Sequence, residues 1–357
     1  MRPLALAVML CVAVSGGGPA WADTISVAPG PQASAAAAMR GALADALQAQ
    51  GTAALQALKS LDPTQLSAGD ASIRSCMIGR LGARQPAPAT VADPFVAAVL
   101  RSYQEYWLRA LRAEHPAAQN EAWLLGALNR LLSGAGARQA ADMGDLEGEL
   151  EPLLLAHGYH ALLGVTRPLR ELMLWRSEVQ ARYQVALPEG EQPVVVVFMD
   201  DFASLGWAGF ATCDRHHSGG WTTPERLYAV RSAYDLDSEE FRVSYLAHEA
   251  QHFADSQRFP GLDDQAQLEY RAKLVELATA RTSASQLLEA FAANTSLDPA
   301  VPHSFANGRL VHDLSQRLFP AGTKCCAWSA VPLSSINAAA LQLLREDSAR
   351  LLHTGAA

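Results

Sequence analysis

His248-Glu249-Ala250-Gln251-His252 sets two imidazoles and one carboxylate within five residues. On a helix, residues four apart are separated by about 400°, so both imidazoles leave nearly the same face, one turn apart. Two ring nitrogens so placed can hold one Zn2+ at about 2.0–2.1 Å. Glu249 is rotated about 100° from His248. It is badly aligned to be a ligand, yet within reach of a water at an open coordination position, which it can deprotonate as a general base. The chemistry this spacing points to is metal-assisted hydrolysis.

The residues around the motif must deliver it on a helix. Phe241, Leu246, Ala250 and Phe253 recur near the helical period, and Asp237-Ser238-Glu239-Glu240 reads as an N-cap followed by acids. The spacing predicts a helix from near Ser238 to just before Phe259-Pro260-Gly261. A second helix is predicted after that turn, over Leu262 to Arg281, with Leu268, Ala272, Val275 and Ala278 on an apolar stripe. Glu269 and Glu276 stand seven apart on it, hence on one face. Asp263 and Asp264 lie at its start.

The two helices together resemble the zincin metallopeptidases of the gluzincin type. The resemblance rests on His248-Glu249-x-x-His252 and on Glu269 in Leu268-Glu-Tyr-Arg-Ala272, and covers roughly Gln192 to Arg281. The metzincin pattern does not fit, because Asp255 and Arg258 stand where its Gly and its third ligand would be. The resemblance implies a small upper lobe with a short twisted sheet, an active helix, and a following helix whose glutamate completes a Zn2+ site. Glu269 is the first candidate for that third ligand, being the shorter hop back from Pro260-Gly261. Glu276 is the alternative, or else a partner to a ligand. Asp263 and Asp264 are weaker candidates. The chain departs from thermolysin-like enzymes in carrying Lys273 where their supporting aspartate would be.

Composition bounds the rest. A chain of 357 residues, half of them hydrophobic and 18% charged, has globular composition and room for one or two domains. A net charge of −8 gives nucleic-acid binding no electrostatic support. Residues 1–22 read as a leader for export to the periplasm or outside. Arg2 precedes an apolar run over Leu4 to Val14, and Ala20-Trp21-Ala22 before Asp23 is a cleavage signal. The run is too short to span a bilayer, so no stable membrane insertion is expected after cleavage. Four cysteines remain, Cys76, Cys213, Cys325 and Cys326. In an exported chain they suggest up to two disulfides. A bridge between the neighbours Cys325 and Cys326 would be strained, so Cys76 and Cys213 are each expected to pair with one of them.

The expected fold is α+β and mostly α, with a helical region over 23–187 and the zincin-like lobe over 188–357. Helices are expected over Ala35 to Leu58, Phe95 to Glu114, Gln119 to Leu132, Leu146 to Leu155 and Leu169 to Tyr183, then over Gln286 to Ala293, Ala306 to Leu318 and Ser335 to Leu352. The aromatic stripe Tyr103, Tyr106, Trp107 reads as core, and His157 and His160 as core or surface residues rather than ligands. Pro193 to Met199 is the best strand and Arg226 to Ser232 a second. Gly206 to Thr212 is assigned as the edge strand that would pair with an extended peptide or protein substrate.

Amide hydrolysis also needs a donor to the developing oxyanion. His312 is the first candidate, with His303, Tyr270, Tyr245, His216 and His217 as others, and Asp255 could orient His248 or His252. Two further functions stay open. One is a non-catalytic helical binding module whose metal is structural or absent. The other is a zinc amidase cutting a non-protein amide, such as a cell-wall cross-link.

Overall fold

The computed structural model describes residues 8–10, 31–87, 91–223, 225–299, 301–319 and 328–353. The architecture is α+β and mostly α, with one small mixed sheet of strand order β1-β5-β6-β4-β3-β2. Its strands are β1 (Val8–Leu10), β2 (His160–Thr166), β3 (Leu169–Leu187), β4 (Gly190–Leu205), β5 (Gly220–Thr222) and β6 (Leu227–Val230). Of the leader expected over 1–22, only β1 lies among the described residues. No helix of the described residues is long and apolar enough to cross a membrane. The chain divides into two compact units, one of 179–198 and 221–357, the other of 9–178 and 199–220.

The second unit holds helices α1 (Pro31–Leu47), α2 (Gly51–Ser60), α3 (Ala68–Gly82), α4 (Pro94–Leu111), α5 (Ala117–Gly134), α6 (Met143–Ala156) and the short α7 (Gly206–Thr212). Tyr103, Tyr106 and Trp107 of α4 are buried in its core, as their helical spacing requires. Asp93 caps α4 by accepting from the Val96 amide at 2.9 Å, and its other oxygen meets His157 Nδ1 at 2.8 Å. His160 instead faces Glu178 at 3.4 Å, so the two histidines have separate carboxylates and form no site together.

Four sequence expectations are corrected here. The stretch expected as a helix over Leu169 to Tyr183 is strand β3, and the 23–187 region is therefore not all helical. Its charges at helical spacing masked a period of two, in which Val179, Ala181, Tyr183, Val185 and Leu187 alternate with more polar neighbours. A two-residue turn at Arg167-Pro168 folds β2 back on β3, pairing Thr166 with Leu169 and His160 with Trp175. The single helix expected over Ala35 to Leu58 is two, because the chain reverses at 48–50 with Ala49 at φ 58°. Gly206 to Thr212 is helix α7 rather than an edge strand. Finally, Cys76 is bonded directly to Cys213, joining α3 to the end of α7, while Cys325 and Cys326 lie outside the described residues. Closing a loop 137 residues apart in sequence removes unfolded-chain entropy corresponding to about 5 kcal/mol.

Why α7 starts where it does follows from one buried acid. Glu171 is 3% exposed, and its Oε1 accepts from the Trp207 and Leu172 amides at 2.9 and 3.0 Å. Gly206 is the residue that lets it in. Its φ is +85°, and a Cβ there would collide with the Glu171 carboxylate. Burial pushes the Glu171 pKa from 4.5 up to about 7, against the hydrogen bonds from Trp207, Thr166 and Leu172. The folded chain thus keeps a proton that the unfolded chain releases near pH 4.5. Stability is full below that pH and falls as pH rises towards 7, by about 3 kcal/mol at most. Glu171→Gln keeps an acceptor for both amides and cannot ionise. It is expected to flatten this stretch of the stability–pH curve and to unfold at higher denaturant than wild type at pH 8. An unchanged slope in the variant would contradict this assignment.

The other unit packs its sheet portion against α8 (His248–Arg258), α9 (Gln265–Thr279), α10 (Ala284–Ala293), α11 (Pro302–Leu318) and α12 (Leu333–His353). Val194, Val196 and Phe198 of β4 and Leu227 and Ala229 of β6 supply the sheet's side of its core. Helix α9 is its centre, with Tyr270, Leu274, Val275 and Leu277 buried.

Candidate metal centre

The helix carrying the histidines runs over 239–258, with Ser238 Oγ accepting from the Phe241 amide at 3.0 Å at its start. Its middle, Phe241–Ala247, is π-helical and passes into α8 at His248. Such wide turns are uncommon and recur at functional sites. Phe241 and Tyr245 are buried in an aromatic cluster with Tyr234, Tyr183 and Phe198.

One turn apart on α8, His248 and His252 turn their Nε2 atoms towards each other at 3.2 Å. Helix α9 brings Glu269 to them. Its Oε1 is 3.5 Å from His252 Nε2, and its Oε2 is 3.7 Å from His248 Nε2. The three residues are buried, each offers one donor atom, and these atoms lie within 4.8 Å of one another, so the group could hold a metal ion. Ligands at about 2.0–2.1 Å in a tetrahedron stand about 3.3–3.4 Å apart. The His248–His252 edge, at 3.2 Å, is close to that figure, and each histidine has one of the two Glu269 oxygens at 3.5–3.7 Å.

Glu276, one helical repeat further along α9, accepts from His248 Nδ1 at 2.7 Å. That bond holds a proton on Nδ1 and turns Nε2 towards His252 and Glu269. Both oxygens of Glu269 are buried without a well-formed hydrogen bond. His303 Nδ1 and Lys273 Nζ stand beside them instead, at 2.6 and 3.6 Å from Oε2. Three buried carboxylates, Glu249, Glu269 and Glu276, face one buried ammonium, Lys273. Burial alone would disfavour a charged His248, but Glu269 and Glu276 push its pKa up to about 10. Burial likewise opposes ionisation of Glu269, yet His303, His248 and His252 hold its carboxyl well below the usual range.

Glu249 is fully buried beside this group. Its Oε2 accepts a hydrogen bond from Thr222 at the end of β5, and its Oε1 has no hydrogen-bond partner among the described residues. The carboxylate is therefore fixed at one oxygen and free at the other.

Other residues singled out from the sequence lie elsewhere. His312 is exposed and bonded to Gln316 at 2.9 Å, so it is not a donor at this site. Nine residues separate it from His303 on α11, which puts it on the opposite face of that helix. Tyr270 is committed to Asp313 at 2.8 Å. His216 and His217 belong to the other unit. Asp255 does not orient either histidine. It accepts from Gln251 at 2.8 Å and, through both oxygens, from Arg271 at 2.8 and 2.9 Å. Sequence reasoning missed Thr222 entirely. It carried Lys273 only as a departure from a pattern and His303 only as a second-rank donor.

Comparison with protein-family models, with curated proteins and with solved structures finds no match for this chain.

Proposed function

We propose that the chain is an exported zinc metallopeptidase of the zincin type, with Zn2+ held by His248, His252 and Glu269. The observation that carries this reading is the gathering of three buried donor atoms, one each from His248, His252 and Glu269, within 4.8 Å of one another beside Glu249, a carboxylate held at one oxygen by Thr222. Two imidazoles and one carboxylate are a donor set suited to zinc, and three protein ligands leave a fourth position open for chemistry. A zinc ion there supplies a Lewis acid for the scissile carbonyl and lowers the pKa of water towards about 7.

The protein's own groups do the remaining work. Glu249 Oε1 takes the proton from the attacking water while Thr222 holds Oε2 in place. As the carbon–nitrogen bond breaks, Glu249 returns that proton to the departing amine. Glu276 holds the His248 ring so that Nε2 stays aimed at the centre. The Cys76–Cys213 disulfide and the leader expected over 1–22 support an oxidising, non-cytosolic compartment.

Glu249→Gln tests this reading. The variant is expected to keep its zinc and to lose about 10²–10⁴-fold in the rate at which a mixture of denatured proteins is cut, followed by mass spectrometry of new amino termini. Full cleavage by Glu249→Gln would contradict the reading, as would a zinc-loaded wild type that cuts nothing.

A further inference from the structure

Two nitrogen groups from different helices approach Glu269 at the same oxygen. His303 Nδ1 stands 2.6 Å and Lys273 Nζ 3.6 Å from Oε2, the nearer carboxylate oxygen to each. The other oxygen, Oε1, lies 3.5 Å from His252 Nε2.

The chain builds this arrangement from two directions. Lys273 is four residues after Glu269 on α9, one turn further along the same face. Its side chain is 7% exposed, and its ammonium rests over the Phe291 ring of α10, 4.9 Å from the centroid. A buried ammonium is costly without an anion, and Glu269 is the carboxylate it meets. His303 follows Pro302 at the start of α11. Its 2.6 Å approach is at hydrogen-bond distance, and its side chain is a third exposed, whereas His248, His252, Glu269 and Lys273 are buried.

A carboxylate can meet a metal ion through one oxygen or through both. Through both, Oε2 would be shared between a dication and the Lys273 ammonium, which repel each other. Through Oε1 alone, the metal takes the oxygen farther from Lys273, while the imidazole N–H and the ammonium satisfy Oε2. We propose that His303 and Lys273 are positioning residues for Glu269, which engage Oε2 and restrict the carboxylate to binding the metal through Oε1. The centre then keeps open a coordination position that a carboxylate bound through both oxygens would fill. This inference rests on the reading of His248, His252 and Glu269 as metal ligands.

The test loads the full chain with Co2+ in place of zinc and records its visible spectrum. Cobalt bands are intense with four ligands and weak with five or more, so they report coordination without turnover. Wild type is expected to give the intense spectrum. His303→Ala removes the N–H at Oε2 and is expected to lose that intensity, as Glu269 closes on the metal with both oxygens. His303→Asn offers an amide N–H close to where Nδ1 stood and is expected to restore it. Lys273→Met keeps the stem against Phe291 without the charge and is expected to lose intensity as His303→Ala does. A weak wild-type spectrum overturns the proposal, as do variants with the wild-type spectrum. Equal loss in His303→Ala and His303→Asn also overturns it, because a packing role would respond to both. If Lys273→Met does not fold, the two His303 variants decide alone. A wild type that takes up neither cobalt nor zinc overturns the metal reading itself, whereas metal-loaded variants with unchanged spectra overturn only the positioning.

Discussion

Replacing Arg271 with Ala is expected to destabilise the protein by about 3–5 kcal/mol, the usual cost of stripping the partner from a buried charge. Arg271 is fully buried on α9 and joins three helices through its guanidinium. It grips both oxygens of Asp255 on α8 at 2.8 and 2.9 Å. It also donates to Asp347 at 3.0 Å and to Ser348 at 3.1 Å on α12. Its remaining face lies over the Phe259 ring, 4.9 Å from the centroid. Asp347 keeps Gln267, Arg350 and Arg309 when Arg271 is lost. Among the described residues, Asp255 keeps only Gln251 as a side-chain hydrogen-bond donor, in a place where burial already raises its pKa. Denaturant unfolding of Arg271→Ala beside Asp347→Asn measures the asymmetry. The arginine variant should be much the less stable, and equal losses would contradict the assignment. Because Asp255 stands one turn after His252, the network also anchors the end of the helix that carries both histidines.

The second large effect concerns the metal centre. Glu276→Gln is expected to weaken metal binding about 10–100-fold without abolishing it, the range found when the carboxylate behind a ligating histidine is lost. Its 2.7 Å bond to Nδ1 makes His248 a better donor and holds the ring's direction. A glutamine amide there can still accept from Nδ1 but contributes no charge. Competition against a chelator of known affinity reads the change, and an unaltered affinity would show that Glu276 only fills space.

What could be read from the sequence, and what could not, divides along physical lines. The helix with His248, Glu249 and His252 and the helix with Glu269 and Glu276 are local objects. Period, capping residues and the Pro260-Gly261 turn specify them, and both helices lie where those signals put them. Within the first helix, no residue pattern marks the π-helical turn over Phe241–Ala247, where Phe241 and Tyr245 pack among other aromatic rings. The strand 169–187 was hidden for the opposite reason. Leu169, Leu172 and Met173 satisfy a helical period by accident, while pairing with β2 and β4 decides the conformation. Thr222 lies 27 residues before Glu249, and only tertiary folding brings a hydroxyl from β5 to its carboxylate. His303 and His312 looked alike in sequence. Half a turn of accumulated rotation along α11 separates the one beside Glu269 from the one in solvent. The Cys76–Cys213 bond shows the same limit, since spacing carries no information about which thiols meet.

The most direct test of the account is the metal stoichiometry of the purified mature protein, wild type beside Glu269→Ala, by native mass spectrometry with elemental analysis. The account predicts about one zinc per wild-type chain and none retained by Glu269→Ala after the same dialysis. A wild type that binds no divalent ion even after zinc is added back, or a Glu269→Ala variant that holds zinc as tightly as wild type, would contradict it.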